Sequence, residues 1–351
     1  MKTSTTKAGT FGYIRYYSKY LGWIKTAGVK KTSLSTIATA TINKYDLSGV
    51  VLLNSAGPTH QVVLARGFAN KTDGVLNTSD GTVVYPLASL QKAMTGAIIQ
   101  QLISSGKLSP YSKLSSFYPG VKYSNSITIQ RMLTMTSGIE NNDYTPSSNL
   151  SESKAFSTIQ SKLVSTGTSS YHYSDANYVL LAGIISKITK KSYASNLQSR
   201  ILGPMNMKNT FIAGASMGSK FIPESYKTNG YGTARKLSVA RQTGIPGAGN
   251  LYTTVQDFAA FENGLVNGKI LTLSQYNQLL SYGSYYSGGS YVNVSGIKHT
   301  HGAFGGTGFF TDIYSDVNNY HLAIVFLNEP LKGNYDTKQF VAIMYKLAKY
   351  Y

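Results

Sequence analysis

Strand-like segments stand at both ends of this chain and helix-like segments fill its middle, and that order constrains the fold more than any other feature. Residues 48–53 (SGVVLL) and 61–67 (QVVLARG) flank a Gly57-Pro58 turn, the pattern of two neighbouring strands. Strand-like runs return late, at residues 308–314 and 321–327. Between them, apolar residues recur at helical spacing over residues 87–104, stopped by Gly106, and again over 128–136 and 177–188. Helices are also expected over residues 32–44, after a Thr/Ser start, over 254–264, and over 336–349 at the close of the chain. The economical solution is α+β: one antiparallel sheet built from both ends of the chain and flanked by helices, with a helical region of about residues 86–225 inserted between its segments. The chain has 351 residues and 42% hydrophobic content, enough for a sizeable core. Residues 1–31 are rich in Lys, Thr and Tyr and end in Val29-Lys30-Lys31. They read as a basic arm leading into a domain over 32–351.

Composition narrows the partners. Only 13% of residues are charged, yet Lys and Arg outnumber Asp and Glu by 33 to 14, a net charge of +19. Such a field draws in polyanions. Teichoic acid and anionic lipid surfaces are candidates, and the basic arm leaves room for contact with a membrane surface. Nucleic acid is set aside, because no basic block, zinc motif or RNA-binding aromatic motif accompanies the charge. There is no cysteine, hence no disulfide and no thiol nucleophile. No cluster has metal-ligand spacing, and neither metal nor cofactor is expected. The 28 tyrosines offer amphipathic surfaces suited to a sugar or polymer, or reflect compositional habit. No segment has the apolar length of a membrane span. Residues 1–20 carry positive charge without a continuous apolar stretch, unlike an intact signal peptide.

Ser89-Leu90-Gln91-Lys92 places a hydroxyl and an amine three residues apart at the start of the first inner helix. Positions i and i+3 share a helix face, so Lys92 reaches Ser89. A hydroxyl becomes a competent nucleophile once a base takes its proton, and a lysine serves as that base when it is held neutral. Backbone N–H groups at the helix start face any oxyanion formed there. By itself this spacing is common.

The surrounding landmarks make it specific. The stretch 85–108 (YPLASLQKAMTGAIIQQLISSGKL) resembles the active-site helix of the serine β-lactamase, penicillin-binding protein and esterase superfamily. Residues 127–138 (ITIQRMLTMTSG) resemble its helix ending in a T-S-G turn, and Tyr173-Ser174-Asp175 its Y-x-N motif. Residues 204–210, 249–254 and 301–308 (HGAFGGTG) follow as further landmarks, the last as the H-T-G form of its third motif. The resemblance is greatest to the class C, DD-carboxypeptidase and esterase branch. It implies a β-lactamase/transpeptidase-like fold and catalysis through an acyl-Ser89 intermediate. Lys92 and Tyr173 would share proton transfer, with Tyr173 as the shuttle to leaving group and water. The N–H groups of Ser89 and Phe304 would form the oxyanion hole, and Asp175, His301, Gly302 and Ala303 would line the substrate site. It further implies an extracellular protein of the Gram-positive wall or membrane surface, its export or anchor segment lying outside this sequence.

Three departures shape the expected substrate. Asp175 stands for the family's Asn. His301-Gly302-Ala303 loses both the hydroxyl and the glycine of H-T-G. Met135 stands where His often precedes T-S-G. Without the hydroxyl, and with a carboxylate nearby, a substrate carboxylate fits poorly, as losing a hydrogen bond to a charged group costs about 1.5–3 kcal/mol. The expectation is an esterase removing D-alanine, which carries an ammonium, from teichoic or lipoteichoic acid. The alternatives are a DD-carboxypeptidase or penicillin-binding esterase acting on peptidoglycan, and a non-catalytic wall-binding module.

Overall fold

The computed structural model describes residues 2–6, 9–16, 19–25, 32–141, 144–227, 233–292 and 295–351. Strands β1 (Lys2–Thr6), β2 (Gly9–Tyr16) and β3 (Lys19–Lys25) pair in that order as an antiparallel meander. Over these segments of the basic N-terminal arm the backbone is extended and paired. Phe, Tyr, Ile and Trp in these runs favour the extended state.

The main sheet has seven strands: β4 (Gly49–Asn54), β5 (Gln61–Arg66), β6 (Tyr286–Ser287), β7 (Ser290–Val292), β8 (Ile297–Ala303), β9 (Phe310–Asp316) and β10 (Leu322–Leu327). They run in the order β6-β7-β8-β9-β10-β4-β5, antiparallel throughout. The two ends of the chain meet where β10 pairs with β4, from Leu322 opposite Asn54 to Leu327 opposite Gly49. Every residue of these two strands is buried, as expected of central strands covered on both faces.

Alternation along β4 and β10 assigns the two faces. Val51, Leu53, Val325 and Leu327 pack with Leu34, Ala38 and Ile42 of α1 (Leu34–Lys44) and with Phe340 and Met344 of the closing helix. Val50, Leu52, Ile324 and Phe326 join the larger core on the other face. That core belongs to the inserted helices α2 (Gln91–Ser104), α3 (Ile129–Leu133), α4 (Glu152–Lys162) and α5 (Asp175–Thr189), together with α6 (Val255–Gly264) and α7 (Leu273–Ser281). The closing helix is α8 (Thr337–Tyr350). Helix α2 is buried nearly all round, its polar Gln91, Lys92, Thr95 and Gln100 included. A buried polar residue in a central helix needs partners, and those partners define the site. No described helix is long and apolar enough to cross a membrane.

Candidate active site

The chain enters α2 through a sharp turn. Leu87 N–H donates to Leu251 O (2.8 Å), Ala88 adopts a left-handed φ of 50°, and residues Ala88–Leu90 form one 3-10 turn before the α-helix begins. A non-glycine residue held there stores about 1–3 kcal/mol of strain. Thr311 on β9 holds the turn: its buried hydroxyl donates to Leu87 O at 2.9 Å. Ser89 is thereby presented at the helix start.

Lys92, one turn further on, is completely buried. Its Nζ donates to Ser89 Oγ (2.9 Å) and Ala248 O (3.0 Å), and lies 2.8 Å from Asp175 Oδ1. An ammonium has three donors; two are used in these hydrogen bonds, and its charge is paired with Asp175. Burial alone would lower the lysine pKa. The Asp175 carboxylate, and after it the Tyr173 hydroxyl, outweigh burial and hold it above the ordinary lysine range. Lys92 is therefore an ammonium in this state and donates to Ser89 rather than accepting from it. Gln91, inside the S-x-x-K motif, also serves the site. Its amide exchanges two hydrogen bonds with Asn250, Nε2 to Oδ1 at 2.7 Å and Asn250 N–H to Oε1 at 2.5 Å. This fixes the loop that presents Ala248 O. The only sequence hint of that role was the landmark at residues 249–254.

Asp175 is the first residue of α5, just after Ser174, whose hydroxyl bonds Asn141 Oδ1 at 2.8 Å. The Asp175 side chain is 32% exposed, so the carboxylate faces both the buried ammonium and the mouth of the site. The Tyr173 ring centroid lies 5.1 Å from Lys92 Nζ. The T-S-G turn is tied to the same helix: Ser137 Oγ bonds Asn177 Oδ1 (2.6 Å), and Tyr178 OH donates to Leu133 O (3.0 Å). Thus Ser89, Lys92, Tyr173 and Asp175 come together.

The third motif differs from the sequence reading. Along β8, Lys298, Thr300 and Gly302 are buried toward the inserted helices, and alternate residues point the other way. Gly302 is where the strand meets the nucleophile: a β-carbon there would lie 3.1 Å from Ser89 N, 3.1 Å from Ala88 Cβ and 2.4 Å from Thr311 Oγ1. Gly302 therefore is the glycine of close approach, and the expectation that the motif had lost its glycine is corrected. The residue two before it on the same face is Thr300, whose hydroxyl bonds Gly289 O (3.2 Å) and Ser290 Oγ (3.3 Å).

His301 points to the opposite face. Its Nδ1 bonds Asp312 Oδ1 at 2.8 Å, directly across on β9, and it lines a shallow groove with Phe310, Tyr335, Thr337 and Lys338. His301 is thus corrected as a substrate-lining side chain, because strand alternation turns it from Ser89. The backbone N–H beside Ser89 also differs from the one expected from the sequence. Val292 N–H bonds Tyr285 O, so its neighbour Tyr291 turns to β8, where it pairs with His299. Backbone groups alternate between edges in an antiparallel ladder. His299, His301 and Ala303 therefore aim their N–H groups at the β7 side, where β7 pairs only with Lys298 and His299. Ala303 N–H is left on the open edge beside Ser89. Phe304 lies past the strand end, its ring 5.8 Å from the Arg241 guanidinium, and the alternation does not aim its N–H there. His299 is stacked between Tyr291 and Tyr314, and His321 bonds Asp316 Oδ2 at 2.7 Å.

An SxxK serine at a helix start, a tyrosine and a carboxylate around its lysine, and a glycine-backed strand beside it make up the site of a serine hydrolase with the β-lactamase-like fold. A profile of the beta-lactamase family matches residues 23–332, and the chain belongs to that family. Among curated proteins it is similar to the teichoic acid D-alanine hydrolase of Staphylococcus aureus, with 27% identity over 286 residues, covering 78% of this chain and 68% of that protein. Among solved structures it is similar to FmtA from Staphylococcus aureus (TM-score 0.75, 23% identity, 92% and 91% of the two chains). It is also similar to the D-amino acid amidase of Ochrobactrum anthropi SV3 (0.73, 17%, 90% and 96%) and to a penicillin-binding protein of Bacillus halodurans (0.72, 19%, 90% and 99%). The fold expected from the sequence, an α+β β-lactamase-like domain, is the fold observed.

Proposed function

We propose that this protein is an extracellular esterase that removes D-alanine from teichoic or lipoteichoic acid through an acyl-Ser89 intermediate. The observation that carries this reading is the Asp175 carboxylate, paired to Lys92 at 2.8 Å yet one-third exposed at the mouth of the site. A D-alanyl ester brings an ammonium to that mouth, whereas a D-Ala-D-Ala peptide or a β-lactam brings a carboxylate. The first is attracted to Asp175 and the second repelled. The similarity to a protein named teichoic acid D-alanine hydrolase supports the same substrate, and the net charge of +19 suits a polyphosphate.

The chemistry follows from the contacts. Ser89 Oγ attacks the ester carbonyl and passes its proton to the Tyr173–Lys92 pair. The oxyanion is held by the N–H groups of Ser89 and Ala303. The polymer hydroxyl leaves with a proton relayed by Tyr173, and water then cleaves the acyl-Ser89 ester to free D-alanine. Since Lys92 begins as an ammonium, it must shed charge before it can assist. An incoming ammonium shares Asp175 and repels Lys92, and both effects favour loss of the Lys92 proton. The preferred substrate thus helps to activate the base.

Release of free D-alanine from purified D-alanylated teichoic acid, measured beside release from muropeptides, tests the proposal. Wild-type protein is expected to act on the polymer, Ser89→Ala to be inactive, and added salt to slow the polymer reaction more than hydrolysis of a small neutral ester. D-alanine release from muropeptides alone would transfer the reading to a DD-carboxypeptidase.

A further inference from the structure

We infer that a wall of tyrosines beside Tyr173 is a binding subsite for a sugar ring carried on the polymer, stacked on Tyr285. Tyr173 meets Tyr286 edge to face (6.0 Å, 84°), Tyr286 meets Tyr291 (4.8 Å, 74°), Tyr291 meets Tyr285 (5.3 Å, 69°) and Tyr285 meets Tyr171 (5.0 Å, 88°). The circuit is closed by a hydrogen bond between the hydroxyls of Tyr171 and Tyr291 at 3.1 Å. It leads from Tyr173 through the buried Tyr286 to the exposed Tyr171 and Tyr285, the two rings along which a polymer whose ester lies at Ser89 would extend.

Tyr285 is 59% exposed although two neighbouring rings hold it in place. An aromatic side chain fixed by edge-to-face contacts loses little freedom on binding, and an open phenol face suits the C–H face of a pyranose. The four ring contacts join tyrosines alone, and the Lys92 ammonium stands against the inner end of the wall, over the Tyr173 ring, so the outer end at Tyr285 suits the uncharged, ring-bearing part of a repeat. The glycine turn behind it adds rigidity. Gly288-Gly289 links β6 to β7, and a β-carbon on Gly289 would stand 2.3 Å from Ala93 N of α2. The wall is seated directly on the nucleophile helix.

This inference rests on the esterase reading only for the identity of the polymer. Its test is binding, measured by titration calorimetry with teichoic acid stripped of D-alanine by mild base, either glycosylated or enzymatically freed of its sugars. Wild-type protein is expected to bind the glycosylated form more tightly. Tyr285→Ala should weaken that binding about three- to tenfold and leave the sugar-free polymer unaffected, with Tyr285→Trp restoring it. Equal affinity of the wild type for the two polymers, or equal loss in Tyr285→Ala on both, would overturn the subsite. Absence of D-alanine release by wild-type protein with this contrast intact would count against the esterase reading alone.

Discussion

Gly302 lies so close to Ser89 that a β-carbon on the glycine would stand 3.1 Å from the serine backbone nitrogen and 2.4 Å from Thr311 Oγ1. The distance between the third-motif strand and the nucleophile is therefore set by the absence of a side chain. Gly302→Ala is expected to force the strand or the turn to shift, at about 1–3 kcal/mol for an overpacked site. Acylation of Ser89 by a fluorophosphonate probe should slow by tenfold or more while the fold is retained. Gly302→Thr, which the bare H-T-G pattern would recommend as a repair, should be worse than Gly302→Ala. Wild-type acylation rates in the alanine variant would contradict the close approach.

Asp175→Asn should have opposite effects on two substrates. Without the carboxylate, burial dominates and the Lys92 pKa falls, so the base becomes available at lower pH. With a neutral acetyl ester, the ascending limb of the kcat/KM profile is expected to move to lower pH, and the rate near neutrality to rise. With a D-alanyl ester the variant loses a charge-assisted partner, which implies a roughly ten- to hundredfold fall. Parallel losses on both esters would show that Asp175 serves only the integrity of the site.

Much of this is legible in the sequence alone. The nucleophile, its lysine, the tyrosine and the aspartate are local patterns, each fixed by spacing on one helix or at one helix start. The helices over 34–44, 91–104, 175–189, 255–264 and 337–350 follow from apolar periodicity. The third motif was harder, because identity along a strand says nothing of which face each residue takes. That depends on register, set by the Gly288-Gly289 turn and the pairing of Tyr291 with His299. Read one residue out of phase, the same letters put His301 in the pocket and gave the oxyanion N–H to Phe304. Strands β6 to β8 were also missed. Their apolar content is low because they lie at the sheet edge and carry Ser, Gly, Lys and His. The basic N-terminal residues were read by charge, which conceals the β-rich aromatic content of β2 and β3.

Thr311 is expected to act as a positioning residue. Its hydroxyl satisfies Leu87 O, next to the left-handed Ala88. Thr311→Val keeps the volume and leaves that carbonyl without its donor, a cost of about 1–3 kcal/mol for a buried group. kcat should fall with KM little changed, and Thr311→Ser should recover most of it. A merely structural residue would lower the urea midpoint in Thr311→Val without this split in the kinetics.

Beneath the site, Lys298 on β8 contacts Glu262 of α6 and bonds Tyr276 OH at 2.6 Å, all three buried. Asn319 closes the network onto Glu262. Removing one member of a buried ion pair typically costs about 3–5 kcal/mol, whereas replacing both partners with neutral groups of similar size costs much less. Lys298→Ala should therefore unfold at clearly lower urea, and Lys298→Met combined with Glu262→Gln should recover a large part of the difference. Denaturation followed by circular dichroism separates the two outcomes.

The pairing of β10 with β4 also dictates when the enzyme comes into being. Strand β4 is made long before its partner, so the central pair of the sheet cannot close until that distant strand is also available. Such distant pairings are slow to find and leave the early segments exposed meanwhile. Gly302 and Thr311, which hold the Ser89 turn, are likewise synthesised long after it. A nascent or truncated chain carries the nucleophile without the strands that position it, and hydrolytic competence arises in a single late step rather than growing with the polypeptide.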